Sequence, residues 1–83
     1  MKVIPLPKWA MLRYAALWTQ FHDREFAHAD AMEVLGDDRN LCSVTLNTFK
    51  RLGWLSVSLD PEDARKRTYR LISPEQAVEG MLP

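Results

Sequence analysis

The chain has 83 residues, of which 47% are hydrophobic and 27% charged, and these values favour one folded domain over a disordered or fibrous protein. Its single cysteine, Cys42, excludes an intramolecular disulfide. No apolar run has the length of a signal peptide or approaches the roughly 20 residues that span a bilayer. We therefore expect a cytoplasmic protein that is not attached to a membrane.

The charges are unevenly distributed, although the formal net charge is zero. Between Arg39 and Arg70 there are seven positive and three negative residues, a net +4, and the rest of the chain carries −4. A basic segment of this kind is compatible with a nucleic-acid partner. Because the overall charge is neutral, a protein is an alternative partner.

An extended lead-in and a first helix are predicted at the start of the chain. Two prolines favour an extended conformation over residues 1–7. Apolar residues at helical spacing then predict a helix from about Lys8 to His22. A second apolar row follows the opposite side of this helix, at Trp9, Leu12 and Ala16. One small core cannot bury both sides, so we expect this row to be covered by the final helix or by a second subunit.

Two more helices are predicted before residue 53. A short one runs from near His28 to Leu35 and ends at Gly36 in a left-handed conformation. Asp37 or Asp38 can then cap a third helix, which runs to Leu52 and stops at Gly53. Its inward face should carry Cys42, Thr45, Leu46, Phe49 and Leu52. Its outward face should carry Arg39, Asn40, Ser43, Val44, Asn47, Lys50 and Arg51.

The remaining sequence predicts a β-hairpin and a short final helix. Residues 54–59 and 68–72 have the composition of strands, and the polar segment between them is rich in turn formers. Ser73, Pro74 and Gln76 form a capping box with proline in the first turn, which predicts a helix within 73–83. The fold class is thus α+β, a winged helix-turn-helix in a single domain, 1–83. It has a helical core over 8–53, a wing hairpin over 54–72 and a short C-terminal helix.

Several of these segments resemble MarR-like and related archaeal winged-helix proteins over residues 8–72. The similar segments are Leu35-Gly36, the polar helix from Asn40, the run Phe49–Leu55, and the hairpin tip Asp60–Leu71 with Asp63 two residues before Arg65. The chain also resembles the small winged-helix modules appended to archaeal nucleotidyltransferases. The resemblance implies a DNA-binding transcriptional regulator. The sequence departs from MarR-type regulators in one respect, because it does not contain the long flanking helices through which they dimerise. The acidic pair Asp37-Asp38 would place negative charge where a phosphate approaches.

The candidate DNA-binding residues lie on the third helix and on the wing. A helix in the major groove would use its outward polar side chains for base edges, with those near its end on the backbone, and the basic wing would reach the backbone or the minor groove. These candidates are Arg39, Asn40, Ser43, Asn47, Lys50, Arg51, Arg65, Lys66 and Arg67. The expected partner is double-stranded DNA, bound by a homodimer or by part of a larger assembly.

We expect neither enzymatic activity nor a cofactor or metal. The sequence contains no pairing of a nucleophile with a base and no phosphate-binding glycine loop, and His22 and His28 lack metal-ligand spacing. Cys42 lies on the inward helix face, where it is expected to be a small core residue. The alternative function is a winged helix that binds another protein, as an accessory module of an enzyme or a larger complex.

Overall fold

Four helices and one two-stranded antiparallel sheet make up the protein. The computed structural model describes residues 2–63 and 65–82. The elements in chain order are α1 (Lys8–Phe21), α2 (His28–Leu35), α3 (Arg39–Arg51), β1 (Leu55–Leu59), β2 (Arg67–Leu71) and α4 (Pro74–Met81). Helices α1, α2 and α3 pack together, and the hairpin of β1 and β2 packs against α2 and α3. This order of three helices followed by a hairpin is the one that the sequence predicts.

The helix ends follow local rules that are visible in the sequence. Gly36 ends α2 with a φ of 67°, and the Asp38 carboxylate caps α3 by accepting from the backbone N–H of Leu41 at 2.8 Å. The capping box predicted for the last helix is present, because Ser73 accepts from the backbone N–H of Gln76 at 3.1 Å. Helix α1 is one residue shorter than predicted, since His22 leaves the helix with a φ of 52°.

Strand β1 begins one residue later than the sequence predicts and ends where predicted, and β2 begins and ends one residue earlier than predicted. In the observed register Leu55 pairs with Leu71 and Leu59 pairs with Arg67. The predicted strand start, Trp54, is buried before the strand begins, because its backbone N–H donates to the carbonyl of Phe49 and closes the turn after α3. Leu59 alternates onto the same side of β1 as the buried Leu55, yet it is exposed at the far end of the strand.

Aromatic side chains fill the centre of the core. The ring of Tyr14 on α1 meets Phe49 and Trp54 edge-on, with centroids 6.2 and 4.9 Å apart. Its hydroxyl donates to the carbonyl of Ile72 at 2.6 Å, and burial raises the pKa of Tyr14 to about 12. Tyr14 therefore joins the first helix to the end of the hairpin through both packing and a hydrogen bond.

The lead-in segment before α1 connects the end of α3 to α4. Val3 donates its N–H to the carbonyl of Gly80 at 2.9 Å, and Ile4 donates to Leu52 at 3.0 Å. The indole N–H of Trp54 donates to the carbonyl of Ile4 at 2.7 Å. The lead-in thus passes close to Gly53, where an added Cβ would lie 2.7 Å from the carbonyl oxygen of Lys2.

The second apolar row of α1 is not covered by the final helix. Trp9 keeps 45% of its surface exposed and Leu12 keeps 65%, and Ala16 is also exposed. Helix α4 instead buries Ala77 and accepts a hydrogen bond from the lead-in, so it does not cross this side of α1. The expectation of a cover by the final helix is wrong, and the alternative cover by a second subunit remains a prediction.

Replacing Gly53 by alanine should destabilise the protein more than replacing Gly36. Both glycines have positive φ, 88° and 67°, but a Cβ at Gly36 meets nothing within 4 Å. We expect Gly36→Ala to cost about 1 kcal/mol, from backbone strain, and Gly53→Ala about 3 kcal/mol, because the clash with Lys2 is added. Urea unfolding measures both, and equal losses would contradict the close approach of the lead-in.

Candidate nucleic-acid interface

Helix α3 separates its residues into a buried face and an exposed face, as the sequence predicts. Cys42, Thr45, Leu46 and Phe49 are at most 3% exposed, and Leu52 packs partly buried against them. The side chains expected to face outward are all exposed: Arg39, Asn40, Ser43, Val44, Asn47, Lys50 and Arg51. The exposed face of α3 therefore presents every polar side chain that the sequence assigned to DNA contact on this helix.

The acidic pair before α3 does not place two free charges at this surface. Asp38 uses its carboxylate as the helix cap, and the side chain of Asp37 is buried, with 5% of its surface exposed. Asp37 forms an ion pair with Arg13, which reaches across from α1. The expected repulsion of a phosphate by both carboxylates is therefore wrong, because Asp37 is neutralised inside the protein.

The wing tip is organised by its own acidic residues. The N–H of Asp60 donates to the carbonyl of Lys66, and the N–H of Lys66 donates to the carbonyl of Asp63, both at 3.0 Å. The Asp63 carboxylate accepts from the backbone N–H of Arg65 at 3.0 Å and lies 3.6 Å from its guanidinium. Arg65 and Lys66 lie in the turn before β2, so strand alternation does not determine where their side chains point.

A crevice runs between the exposed face of α3 and the hairpin. It contains two adjoining concavities of about 570 and 740 Å³. Their linings share four residues, His28, Ser43, Arg67 and Tyr69. Four further cationic or polar residues line one concavity or the other: Arg39, Asn47, Lys50 and Arg65. Among the described residues that line them there is no carboxylate, so the crevice is a positively charged channel.

His28 lines both concavities of the crevice and is not among the candidates that the sequence predicts. It is the first residue of α2, and its Nε2 lies 3.0 Å from the hydroxyl of Ser43 on α3. The sequence signal is weak, because the proximity depends on how α2 packs against α3. Only the spacing of His28 three residues before the buried Ala31 hints that it faces the third helix.

The other sequence exclusions can be compared with the described residues. Within 2–63 and 65–82 there is no cluster of three or more metal-ligating side chains, and no helix is long and apolar enough to cross a membrane. Cys42 is fully buried, as expected. Burial raises the pKa of the Cys42 thiol, the neighbouring Asp37 raises it further, and Arg13 opposes the increase.

The three-helix core, the exposed third helix and the basic hairpin define the class of a winged helix-turn-helix domain. Three solved structures share this fold with the chain. BpsR of Bordetella bronchiseptica, whose DNA binding is regulated by 6-hydroxynicotinic acid, matches with a TM-score of 0.70 and 24% identity, covering 92% of this chain and 58% of its own. No protein-family model and no curated protein matches the sequence.

Two streptococcal proteins have the same fold at lower similarity. The adhesin competence repressor AdcR of Streptococcus pyogenes matches with a TM-score of 0.64 and 17% identity, over 90% of this chain and 55% of its own. The heme sensor PefR of Streptococcus agalactiae, solved with heme, matches with a TM-score of 0.57 and 13% identity, over 84% of this chain and 45% of its own. The chain therefore spans about half the length of the solved structures it matches.

Removing Arg13 should destabilise the protein more than removing both members of its ion pair. Arg13→Met leaves the buried Asp37 carboxylate without a partner, and we expect a loss of about 2 kcal/mol because the arginine itself is partly exposed. Arg13→Met with Asp37→Asn should recover part of this loss. Urea unfolding measures the free energy of unfolding of the two variants. A double variant less stable than Arg13→Met would contradict the claim that this substitution leaves the Asp37 charge buried and unpaired.

Proposed function

We propose that the chain is the DNA-binding domain of a transcriptional regulator, with α3 in the major groove and the wing on the backbone or in the minor groove. One observation carries this proposal: the exposed polar face of α3 and the basic wing border the same channel, and no carboxylate is among its described lining residues. Positive charge concentrated on one surface attracts duplex DNA even when the net charge of the chain is zero. The MarR-like fold supports this function, because BpsR, which has it, binds DNA.

The side chains of α3 suit a division between base edges and backbone. Asn40 and Asn47 are exposed and carry the amide that pairs with adenine in the major groove. Ser43 can contact several base edges, and Arg39 can contact guanine or a phosphate. Lys50 and Arg51, in the last turn of the helix, suit the backbone. Arg65, Lys66 and Arg67 on the wing add contacts to phosphate or to a narrow minor groove.

A second copy of the chain is the protein partner that we propose for α1. Trp9 and Leu12 of the apolar row keep 45% and 65% of their surface exposed, and Met11 between them keeps 38%. A self-complementary dimer about a two-fold axis would bury this row and present two copies of α3 to successive turns of DNA. The same exposed row is the observation that favours the alternative function, a module that docks another protein. In either case the chain acts in the cytoplasm by binding and not as an enzyme.

Two substitutions on α3 should affect DNA binding in different ways. Lys50→Ala should weaken binding to all sequences and reduce the log-log salt slope by roughly 0.9, because one phosphate contact is lost. Asn47→Ala should leave the slope unchanged and narrow the difference between preferred and random DNA by about 1–3 kcal/mol, because a bidentate base contact is lost. Fluorescence anisotropy across a salt series measures both, with the preferred duplex taken from selection on a random pool.

The wild-type protein provides the decisive control for this experiment. Salt-sensitive binding to a random duplex is expected before any substitution is made. If the wild type shows none, or if neither variant changes the affinity, the DNA-binding proposal fails and the protein-docking alternative replaces it.

Introducing a charge at Leu12 should prevent self-association. Leu12 keeps 65% of its surface exposed, so Leu12→Glu should leave the fold intact while placing a carboxylate in the proposed dimer interface. Sedimentation equilibrium should give a dimer mass for the wild type and a monomer mass for the variant. Leu59, at the end of β1, is exposed to a similar extent, and Leu59→Glu is the matched control that should remain dimeric. A monomeric wild type would rule out the dimer.

A further inference from the structure

Side chains of three different elements converge at the centre of the crevice. His28 comes from the start of α2, Ser43 from α3, and Arg67 from the start of β2, and all three line both concavities. Tyr69 is the fourth shared lining residue and is largely buried at the base of the crevice. Because the three polar groups reach one place from separate parts of the chain, their position is fixed by the tertiary fold.

The hydroxyl of Ser43 is directed differently from the other hydroxyls of α3. Thr45 and Thr48 donate to backbone carbonyls of their own helix, at 3.0 and 2.8 Å. Ser43 instead points across the crevice to His28, with 3.0 Å between Oγ and Nε2. A serine hydroxyl has one proton and two lone pairs, so it can accept from an Nε2–H of the imidazole and donate its own proton to an oxygen of a ligand. The pair is therefore a polar contact point that faces the open channel.

Arg67 supplies the positive charge at this point. Alternation along β2 directs Arg67 toward the core side with Tyr69 and Leu71, which are both buried, and directs Arg70 to the other face. Arg70 pairs with Glu25 at 3.2 Å and Arg65 with Asp63 at 3.6 Å. No described carboxylate forms an ion pair with Arg67, so its guanidinium is available to an anion in the crevice.

The geometry of duplex DNA indicates which anion would lie there. The backbone of one strand separates the major groove from the adjacent minor groove. If α3 occupies the major groove and the wing the neighbouring minor groove, that backbone must cross the crevice between them. We infer that His28, Ser43 and Arg67 form a binding site for a phosphate of this strand. The inference rests on the proposed function. It adds His28 to the interface and assigns Ser43 to the DNA backbone in place of a base edge.

Two arginines of the same strand provide a matched test. Arg67→Ala should weaken binding to a random duplex about tenfold and reduce the log-log salt slope by roughly 0.9. Arg70→Ala removes the same charge from the opposite face of β2 and should change the slope much less. Ser43→Ala should weaken binding several-fold and leave the slope unchanged, because a hydroxyl contact releases no counterion. Arg67 and Ser43 are both exposed, so these variants should fold.

The two histidines of the chain allow the contact to be observed directly. His28 lies in the crevice and His22 lies at the end of α1, so nitrogen NMR of the imidazole rings includes its own reference. Titration with random duplex should shift the His28 ring signals and leave those of His22 in place. His28→Ala should weaken binding like Ser43→Ala, and His28→Gln, whose amide can replace Nε2 as a hydrogen-bonding group, should recover most of the affinity.

Each outcome distinguishes this inference from the proposed function. If the duplex binds with salt sensitivity but the His28 ring signals do not move and Arg67→Ala behaves like Arg70→Ala, the phosphate site is wrong and the DNA-binding function stands. If inorganic phosphate alone shifts the His28 signals and the duplex does not, the site belongs to a free anion and the inference is overturned. If the duplex does not bind at all, the proposed function fails and the inference fails with it.

Discussion

The ion pair between Arg13 and Asp37 holds the helical core in the arrangement on which the rest of the structure depends. It joins the first helix to the turn that leads into the third, across 24 residues of sequence. Burying the charge of Asp37 without a partner would cost folding free energy. The turn that carries Asp37 is therefore kept next to Arg13. The neighbouring Asp38 is left to cap α3. The ion pair thus fastens the turn before α3 to α1, and the buried side chains of Phe49 and Leu46 attach α3 to the core.

Once α3 is oriented, its two faces have separate tasks. Hydrogen bonds from Thr45 and Thr48 to their own helix satisfy the hydroxyls that turn inward. Among the described residues no buried side-chain nitrogen or oxygen lacks a partner. The polar groups of the buried face therefore need no hydrogen-bond partners from the exposed face. The outward residues are free to be selected for a ligand, which is the physical basis for the variety of sites that one winged-helix scaffold can carry.

Local rules allowed much of the fold to be predicted from the sequence. The ends of α2 and α3 follow from Gly36 and from an aspartate cap, and the two faces of α3 follow from its periodicity. Strand β2 lies one residue earlier than predicted. The turn before it is closed by hydrogen bonds to the side chains of Asp60 and Asp63, which a propensity argument does not capture.

The candidate site was predicted only as far as single elements could show it. Asn47 and Arg67 were selected because each belongs to a polar face or a basic run. His28 was not selected, and Asp37 was assigned to the wrong side, because their neighbours are Ser43 and Arg13, 15 and 24 residues away. A sequence pattern reports the face of one helix. It does not report which other helix covers that face.

The hydrogen bond from Val3 to Gly80 brings the two ends of the described chain together. A polypeptide that enters and leaves a domain at one point can be placed within a loop of a second protein without either fold being stretched. Peptide connections at this point adjoin the lead-in and α4, whereas the crevice lies between α3 and the wing. The domain could therefore be inserted into a larger protein through its adjacent ends, and the channel between α3 and the wing would remain accessible.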